Sequence, residues 1–383
     1  MKIVSVVGTR PQLIKAAALQ PALRARHADV FVDTGQHYDE AMAGSFFGEL
    51  GLAAPDHALG VGSGSHAEQT GAMLRGLEPV LIAEAPDVVL VFGDTNSTLA
   101  GALVAAKLTI PVAHVEAGLR SFDRRMPEEV NRVVVDHLAR WRFAPTATAM
   151  HNLAAEGIVD GAELVGDLMQ DIAARVAGDV RDPTILDQVA AGIRDDGESM
   201  GGESHDLRPG GYCYATIHRA ENREPDAIGR WVALLRAVAR PDRPVVVALH
   251  PGTRVALERA ATDVGPHVVL AGPLGYRSSL ALQLHAAAVL TDSGGIQREA
   301  AWLGVPCLVL RTTTEWAEAL ADSAGRMVVV GLDATKAVAA LDEVAPLAGA
   351  PAAARKRARE LDLQPAGAAE RIAAALDRAG VPA

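Results

Sequence analysis

Residues Val88 to Leu108 read VVLVFGDTNSTLAGALVAAKL. The first five are all apolar, mostly β-branched and without alternation, the pattern of a strand covered on both faces. Gly93 breaks the run. Asp94, Thr95, Asn96, Ser97 and Thr98 follow, and an N-cap at Asp94 or Thr95 needs only one such side chain. Ser97–Leu108 then spaces its apolar residues as a helix does. A buried strand, a polar turn and a helix in succession are the unit from which parallel α/β sheets are built.

The same unit recurs on either side. Ile3–Val7, Val30–Thr34 and Val112–Val115 read as buried strands, with helical stretches at Ala16–Arg26 and Gly71–Glu84. In the second half Tyr212–Ile217, Val245–Leu249, Val268–Leu270, Ala288–Leu290, Cys307–Leu310 and Met327–Val330 read as strands. A chain of 383 residues exceeds what one hydrophobic core usually serves, so two doubly wound α/β domains are expected. The crossover falls near Gly166–Asp171. Thr184–Ile193 reads as a helix, Asp195–Gly211 as an acidic, Gly-rich surface loop, and Ala352–Ala383 as two Ala/Arg/Glu-rich helices. Ligands of open α/β sheets bind outside the carboxyl ends of the strands, so functional residues are expected in the loops just after strands.

Composition narrows the ligand. With 36 basic against 47 acidic residues the formal charge is −11, which argues against nucleic acid as a partner but leaves small phosphorylated ligands open. Cys213 and Cys307 are too few for a disulfide framework and lie in apolar runs, as small buried hydrophobes do. The N-terminus enters a strand directly, without the regions of a signal peptide, and no run of about 18 apolar residues appears. A cytoplasmic protein without membrane association is expected.

The post-strand loops carry the chemistry. Gly8-Thr9-Arg10-Pro11-Gln12-Leu13-Ile14-Lys15 turns from strand into helix with Arg10 and Lys15 beside the helix start, where amides, dipole and cations can hold an anion. A plain strand–helix connection would look similar. Gln36 and His37 follow the second strand and either contact a ligand or cap the turn. Asp94 stands at the lip of the next strand. Glu116 ends a buried strand, a place that strand chemistry does not choose for a carboxylate. From Glu116 to Arg132, both included, there are four carboxylates and four arginines, among them Glu128 and Glu129. A salt-bridged helix start accounts for Glu128, Glu129 and Arg132 but not for Glu116. A carboxylate near cations and a second carboxylate can have its pKa moved towards neutrality, as acid–base work requires. His218 with Arg219, and His250, close two strands of the second half. Their spacings match no zinc pattern, so no metal is assigned. Ser293-Gly294-Gly295 ends a strand and opens a helix with bare amides, a cradle for a diphosphate, and Glu299 one turn on is placed to accept paired hydroxyls such as those of a ribose.

Read in order, GTRPQLIK, TGQHYDEAM, FGDTNSTLAG, HVEAGLRS, PEEVNR, TIHRAEN, HP and DSGGIQREA resemble the non-hydrolysing UDP-N-acetylglucosamine 2-epimerases, from Gly8 to about Glu318. The resemblance implies a GT-B-like fold: two Rossmann-like doubly wound domains facing across a cleft, 1–168 with 366–383 as the sugar-facing catalytic domain and 169–365 as the UDP-binding domain. It implies Asp94, Glu116 and Glu128 as acid–base carboxylates with His218. It implies UDP contacts from Arg10, Lys15, Ser293, Gly294, Gly295 and Glu299, and cleft or allosteric contacts from Gln36, His37, Arg219 and His250. No NAD, metal or other cofactor is called for, and a homodimer is expected. Three positions depart from the family pattern: Gln12 stands where many members carry Glu, Ser279 replaces an aromatic near the nucleotide, and Trp316-Ala317 replace Arg-Pro. The GTRPQ and TEW variants resemble a branch that includes epimerases of UDP-2,3-diacetamido-glucuronate. A GT-B glycosyltransferase, a hydrolysing relative and a non-enzymatic nucleotide-binding module are the competing readings.

Overall fold

The computed structural model describes residues 1–36, 50–195, 207–312, 314, 320, 325–348 and 366–378. The chain forms two compact units, Met1–Ile172 with Gln364–Ala383, and Ala173–Leu363. His37, Trp316, Ala317, most of the acidic loop and the first half of the expected tail lie outside the described residues.

In the first unit seven strands run in parallel: β1 (Lys2–Val7), β2 (Ala28–Asp33), β3 (His57–Ala58), β4 (Val88–Phe92), β5 (Val112–Val115), β6 (Trp141–Ala144) and β7 (Ala162–Leu164), in the order β3-β2-β1-β4-β5-β6-β7. Ile3 lies opposite Asp29 of β2 and Val88 of β4, which places β1 between them in the interior of the sheet. The central strands are buried on both faces, hence their continuous apolar sequence. Val4, Val6, Val89 and Val91 pack with Met73, Leu77 and Leu81 of the helix His66–Glu84 and with alanines of the helix Asn96–Lys107. That second helix sits close: a Cβ on Gly101 would lie 3.0 Å from a methyl of Val91.

Strands β3, β6 and β7 were not expected from the sequence. They occupy or approach the edges, are only two to four residues long, and include half-exposed positions such as Arg142 and Glu163, so they lack the continuous apolar pattern of the central strands. The first helix also starts earlier than its apolar periodicity suggests, spanning Arg10–Arg24. Pro11 near its start and the Thr9 N-cap fix the beginning where no apolar spacing marks it. The tail helix Ala368–Arg378 packs on Arg10–Arg24, burying Ile372, Ala373 and Leu376. Asp171 accepts hydrogen bonds from the backbone of Gly367 (2.6 Å) and Ala369 (2.8 Å) at its entry.

The second unit repeats the design with β8 (Cys213–Ile217), β9 (Val245–Leu249), β10 (Val268–Ala271), β11 (Ala288–Thr291), β12 (Cys307–Val309) and β13 (Met327–Val329), all parallel, in the order β10-β9-β8-β11-β12-β13. Trp231, Leu234 and Leu235 of the helix Pro225–Val238 cover one face with Leu341. Cys213 and Cys307 are free and buried, and desolvation pushes their thiols up to about 11 and about 12. Each unit is thus a Rossmann-like doubly wound α/β sheet, as the strand–helix alternation predicts, and two such units in one chain are what the resemblance to a GT-B-like family implies. The strand order reverses between β1 and β4 in one sheet and between β8 and β11 in the other. A doubly wound sheet opens its ligand crevice at such a reversal, beyond the carboxyl ends of the strands. Among the described residues no helix is long and apolar enough to cross a membrane.

Candidate active site

The turn after β1 and the turn after β4 meet through one side chain. Gln12 is almost wholly buried; its Oε1 accepts from the backbone of Gly8 (2.9 Å) and Thr9 (3.2 Å). Its Nε2 donates to the carbonyl of Phe92 (2.6 Å) and to the hydroxyls of Thr95 and Thr98 (both 2.9 Å). Thr95 is the N-cap of Asn96–Lys107, which leaves Asp94 without a capping task. Gly8 is required by space, since a Cβ there would lie 2.1 Å from Thr34 Oγ1 and 2.2 Å from Ser97 Oγ.

Beyond these turns four ionisable side chains gather. Lys15, from the helix after β1, pairs with Glu116 at the end of β5, and both side chains are nearly buried. Arg132, from the helix Pro127–Leu138, pairs with Asp94 after β4. Burial pushes the Asp94 carboxyl above its ordinary value; Arg132 and Lys15 pull it back, and Glu116 adds to the rise. Gly93 takes φ +63°, and a Cβ on it would sit 3.2 Å from Glu116 and 3.3 Å from the Lys15 ammonium. Glu116 itself takes φ +70°, a left-handed conformation that costs a non-glycine residue of order 1–2 kcal/mol. The amides of Glu116 and Ala117 both donate to the carbonyl of Phe143 (3.0 and 3.1 Å), which holds the bend that turns the carboxylate out of the strand.

A second layer fixes these groups. His114 is buried, with Nδ1 2.6 Å from Asp136 and Nε2 2.7 Å from the carbonyl of Gly93, the residue before Asp94. Asp136 also accepts from the Gly118 amide (3.1 Å) and from Arg120 (2.7 Å), which in turn grips Glu156 with two bonds. Burial alone would raise the Asp136 carboxyl, but His114 and Arg120 outweigh it and hold it below the usual range. Asn131 donates to the Asp94 carbonyl (2.9 Å), and Glu129 ties Arg132 (3.1 Å) to the amides of Ser121 and Phe122. The ion pair expected at this helix start thus joins Glu129 to Arg132, while Glu128 is exposed. Arg10 opens its helix half-buried. Gln36 is buried and accepts from the amide and hydroxyl of Ser97 (3.1 and 2.8 Å), tying the β2 turn to the β4 turn.

In the second unit the corresponding turns are clamped by Asp292. Its buried carboxylate accepts from the backbone of His218 and Arg219 and from the Asn222 amide (2.6 Å), so the loop after β8 is fastened to the end of β11. His218 and Arg219 are half-buried at that loop. His250 caps the helix Pro251–Ala260, its Nδ1 accepting from Gly252 (3.1 Å), which gives it a local structural task. Ser293 stands at the N-cap of Gly294–Leu303 but makes no side-chain cap hydrogen bond. Among the described residues no side chain is seen to cap the first amides of that helix, and the helix dipole there favours an anion. A Cβ on Gly295 would meet nothing nearer than Ser293 Oγ at 3.8 Å, so the fold itself does not need a glycine there. Glu299, one turn on and buried, receives a 2.7 Å hydrogen bond from Gln283 Nε2.

The structure thus groups Asp94, Glu116 and Lys15 in one cluster and Ser293, Gly294, Gly295 and Glu299 on one helix start. Sequence reasoning assigned no site role to Arg132, His114, Asp136 or Gln283. For His114 a signal was present, since a histidine inside a four-residue buried strand needs partners for both ring nitrogens.

Comparison with known proteins accords with these observations. The profile of a family described as UDP-N-acetylglucosamine 2-epimerase matches residues 22–377. A UDP-N-acetylglucosamine 2-epimerase homolog of Methanococcus maripaludis is 42% identical over 342 residues, covering 88% of this chain and 90% of that one. The UDP-2,3-diacetamido-2,3-dideoxy-D-glucuronate 2-epimerase of Pseudomonas aeruginosa is 41% identical over 337 residues, covering 86% and 88%. The crystal structure of Methanocaldococcus jannaschii UDP-GlcNAc 2-epimerase, in complex with UDP-GlcNAc and UDP, is 35% identical and superposes with a TM-score of 0.83 over 99% of this chain and 100% of that one. The chain belongs to the UDP-N-acetylglucosamine 2-epimerase family.

Proposed function

We propose that this protein is a non-hydrolysing UDP-N-acetylglucosamine 2-epimerase, interconverting UDP-GlcNAc and UDP-ManNAc. The observation that carries the reading is the convergence of Asp94 and Glu116 beyond neighbouring strands, each paired with one cation, Glu116 at the cost of a strained backbone. Carbon 2 of the sugar carries an unactivated proton, and its removal to a free carbanion is prohibitive. Anti elimination avoids that. A carboxylate removes the C2 proton, the C1–O bond breaks, and its electron pair leaves on UDP, giving a 2-acetamidoglycal. Return of UDP to C1, with protonation of C2 from the opposite face, yields the epimer. Two proton-transfer groups are needed, and Asp94 and Glu116 are assigned to them, with Glu128 and His218 assisting. Burial that raises the Asp94 carboxyl brings it towards the range in which acid–base transfer works.

In this reading residues 1–168 with 366–383 serve the sugar and 169–365 the UDP. The Ser293-Gly294-Gly295 amides hold the diphosphate with Arg10 and Lys15, and their positive potential stabilises the charge that develops on the leaving group. Glu299 takes the ribose, and Gln36, His37, Arg219 and His250 are assigned as cleft or allosteric contacts. The enzyme acts in the cytoplasm as a homodimer. The deciding experiment is NMR of UDP-GlcNAc in D2O with the enzyme, which is expected to show a manno-configured product with deuterium at C2. Asp94→Asn and Glu116→Gln are expected to lower kcat by about 10²–10⁴-fold with the fold intact by circular dichroism. No turnover without an added acceptor would point to a glycosyltransferase, and free ManNAc with UDP to a hydrolysing enzyme. The 41% identity to the Pseudomonas aeruginosa enzyme and the Gln at position 12 favour a second substrate, UDP-2,3-diacetamido-glucuronate. The same assay with that nucleotide sugar, compared by kcat/KM, decides between them.

A further inference from the structure

We infer that Gln283 is a positioning residue for nucleotide recognition, holding the Glu299 carboxylate in the pose that receives the ribose hydroxyls; this rests on the ribose role proposed above for Glu299. Gln283 lies on the helix Tyr276–His285 and Glu299 on the helix Gly294–Leu303, and both are buried. Gln283 Nε2 donates to Glu299 Oε2 at 2.7 Å, short for an amide and a sign of a charged acceptor. The same nitrogen lies 3.5 Å from Ser279 Oγ one helical turn earlier, and Ser279 Oγ is 2.9 Å from the hydroxyl of Tyr214 on β8. A buried polar string, Tyr214–Ser279–Gln283–Glu299, thus leads to the carboxylate. The amide cannot be reversed, because its oxygen would then face the carboxylate.

The other end of the amide shows what it is retained for. Gln283 Oε1 is buried and has no hydrogen-bond partner among the described residues. A buried unpaired carbonyl is costly, and an aliphatic side chain of the same length would fill the space without that penalty. The gain that offsets it is the donation to Glu299. Without it a buried carboxylate would lose a donor and could turn towards other groups, and a ribose would meet it in the wrong rotamer. Ser279, where the family pattern has an aromatic, leaves room for this string and supplies its middle hydroxyl.

The test is calorimetric titration of the full-length enzyme with UDP and with 2′,3′-dideoxy-UDP, which lacks the hydroxyls. Wild type is expected to bind UDP at least about tenfold more tightly than the dideoxy compound, as hydrogen bonds to a charged group require. Gln283→Met keeps the volume and removes the donor. It is expected to weaken UDP binding about 5–20-fold while leaving the dideoxy affinity within about twofold, so that discrimination falls to that of Glu299→Gln. A merely structural role would weaken both ligands alike, and that result, or an unchanged discrimination ratio, overturns the inference. Ser279→Ala, a milder change, is expected to reduce the ratio about 2–3-fold, and an unaltered ratio there overturns the inference if Gln283→Met does not fold. A wild-type ratio near one would instead overturn the ribose reading of Glu299 together with the inference, whereas a normal wild-type ratio preserved in both variants removes the inference alone.

Discussion

Asp136 is fully buried, and donors from a strand, a turn and an arginine converge on it: His114, the Gly118 amide and Arg120. Replacing it with Asn keeps the shape and removes the charge, leaving Arg120 and His114 in the interior with less compensation. A loss of about 3 kcal/mol or more is expected at pH 7. The folded-state carboxyl lies below its ordinary value, so its contribution is complete above about pH 4 and is lost as the pH falls through the lowered folded value. Urea midpoints of wild type and Asp136→Asn are therefore expected to differ by a constant amount through neutral pH and to converge below about pH 4. Glu116 stood out in the sequence because a carboxylate that ends an apolar strand has little structural reason to be there, whereas Asp94 shared with Thr95 the reading of an N-cap, which the structure gives to Thr95. Arg132 did not stand out, since an arginine three residues after Glu129 reads as an ordinary helix ion pair. It makes that pair and reaches Asp94 as well, 38 residues away in the chain.

At the scale of elements, two glycines of similar appearance have different tasks. Gly8 lies where Thr34 and Ser97 share a 2.8 Å hydrogen bond and Gln36 holds Ser97, so an added methyl group has nowhere to go. Gly8→Ala is expected to cost about 1–3 kcal/mol, seen as a lower Tm, and to lower kcat by displacing the turn that carries Arg10 and Lys15. Gly295 has open space around it, so Gly295→Ala is expected to leave Tm unchanged while raising KM for the nucleotide sugar. If instead Gly295→Ala lowers Tm and spares KM, the Ser-Gly-Gly turn is a structural connection and no phosphate cradle. The central strands were legible element by element because burial on both faces demands continuous apolar residues. The edge strands β3, β6 and β7 were not, because half-exposed edges impose no such demand.

At the scale of the molecule, the last helix returns to the first unit, where it packs on Arg10–Arg24 and buries Ile372 and Leu376 completely. Each such side chain contributes about 1.5–3 kcal/mol by its removal from water. Deletion of residues 366–383 is expected to lower hydrogen-exchange protection across β1, β2, β4 and β5 while leaving β8, β9 and β11 unchanged. Equal loss in both units would mean that the helix supports the whole protein. The sequence by itself determined the alternation of strand and helix, the class of both sheets and the turns that carry the candidate residues, since burial on two faces and the turns after strands act over a few neighbouring residues. Only the tertiary structure decided which polar groups meet. Lys15 reaches Glu116 across 101 residues, and His218 and Arg219 meet Asp292 across more than 70. Strand order brings such residues together, and no pattern local to either partner records that order.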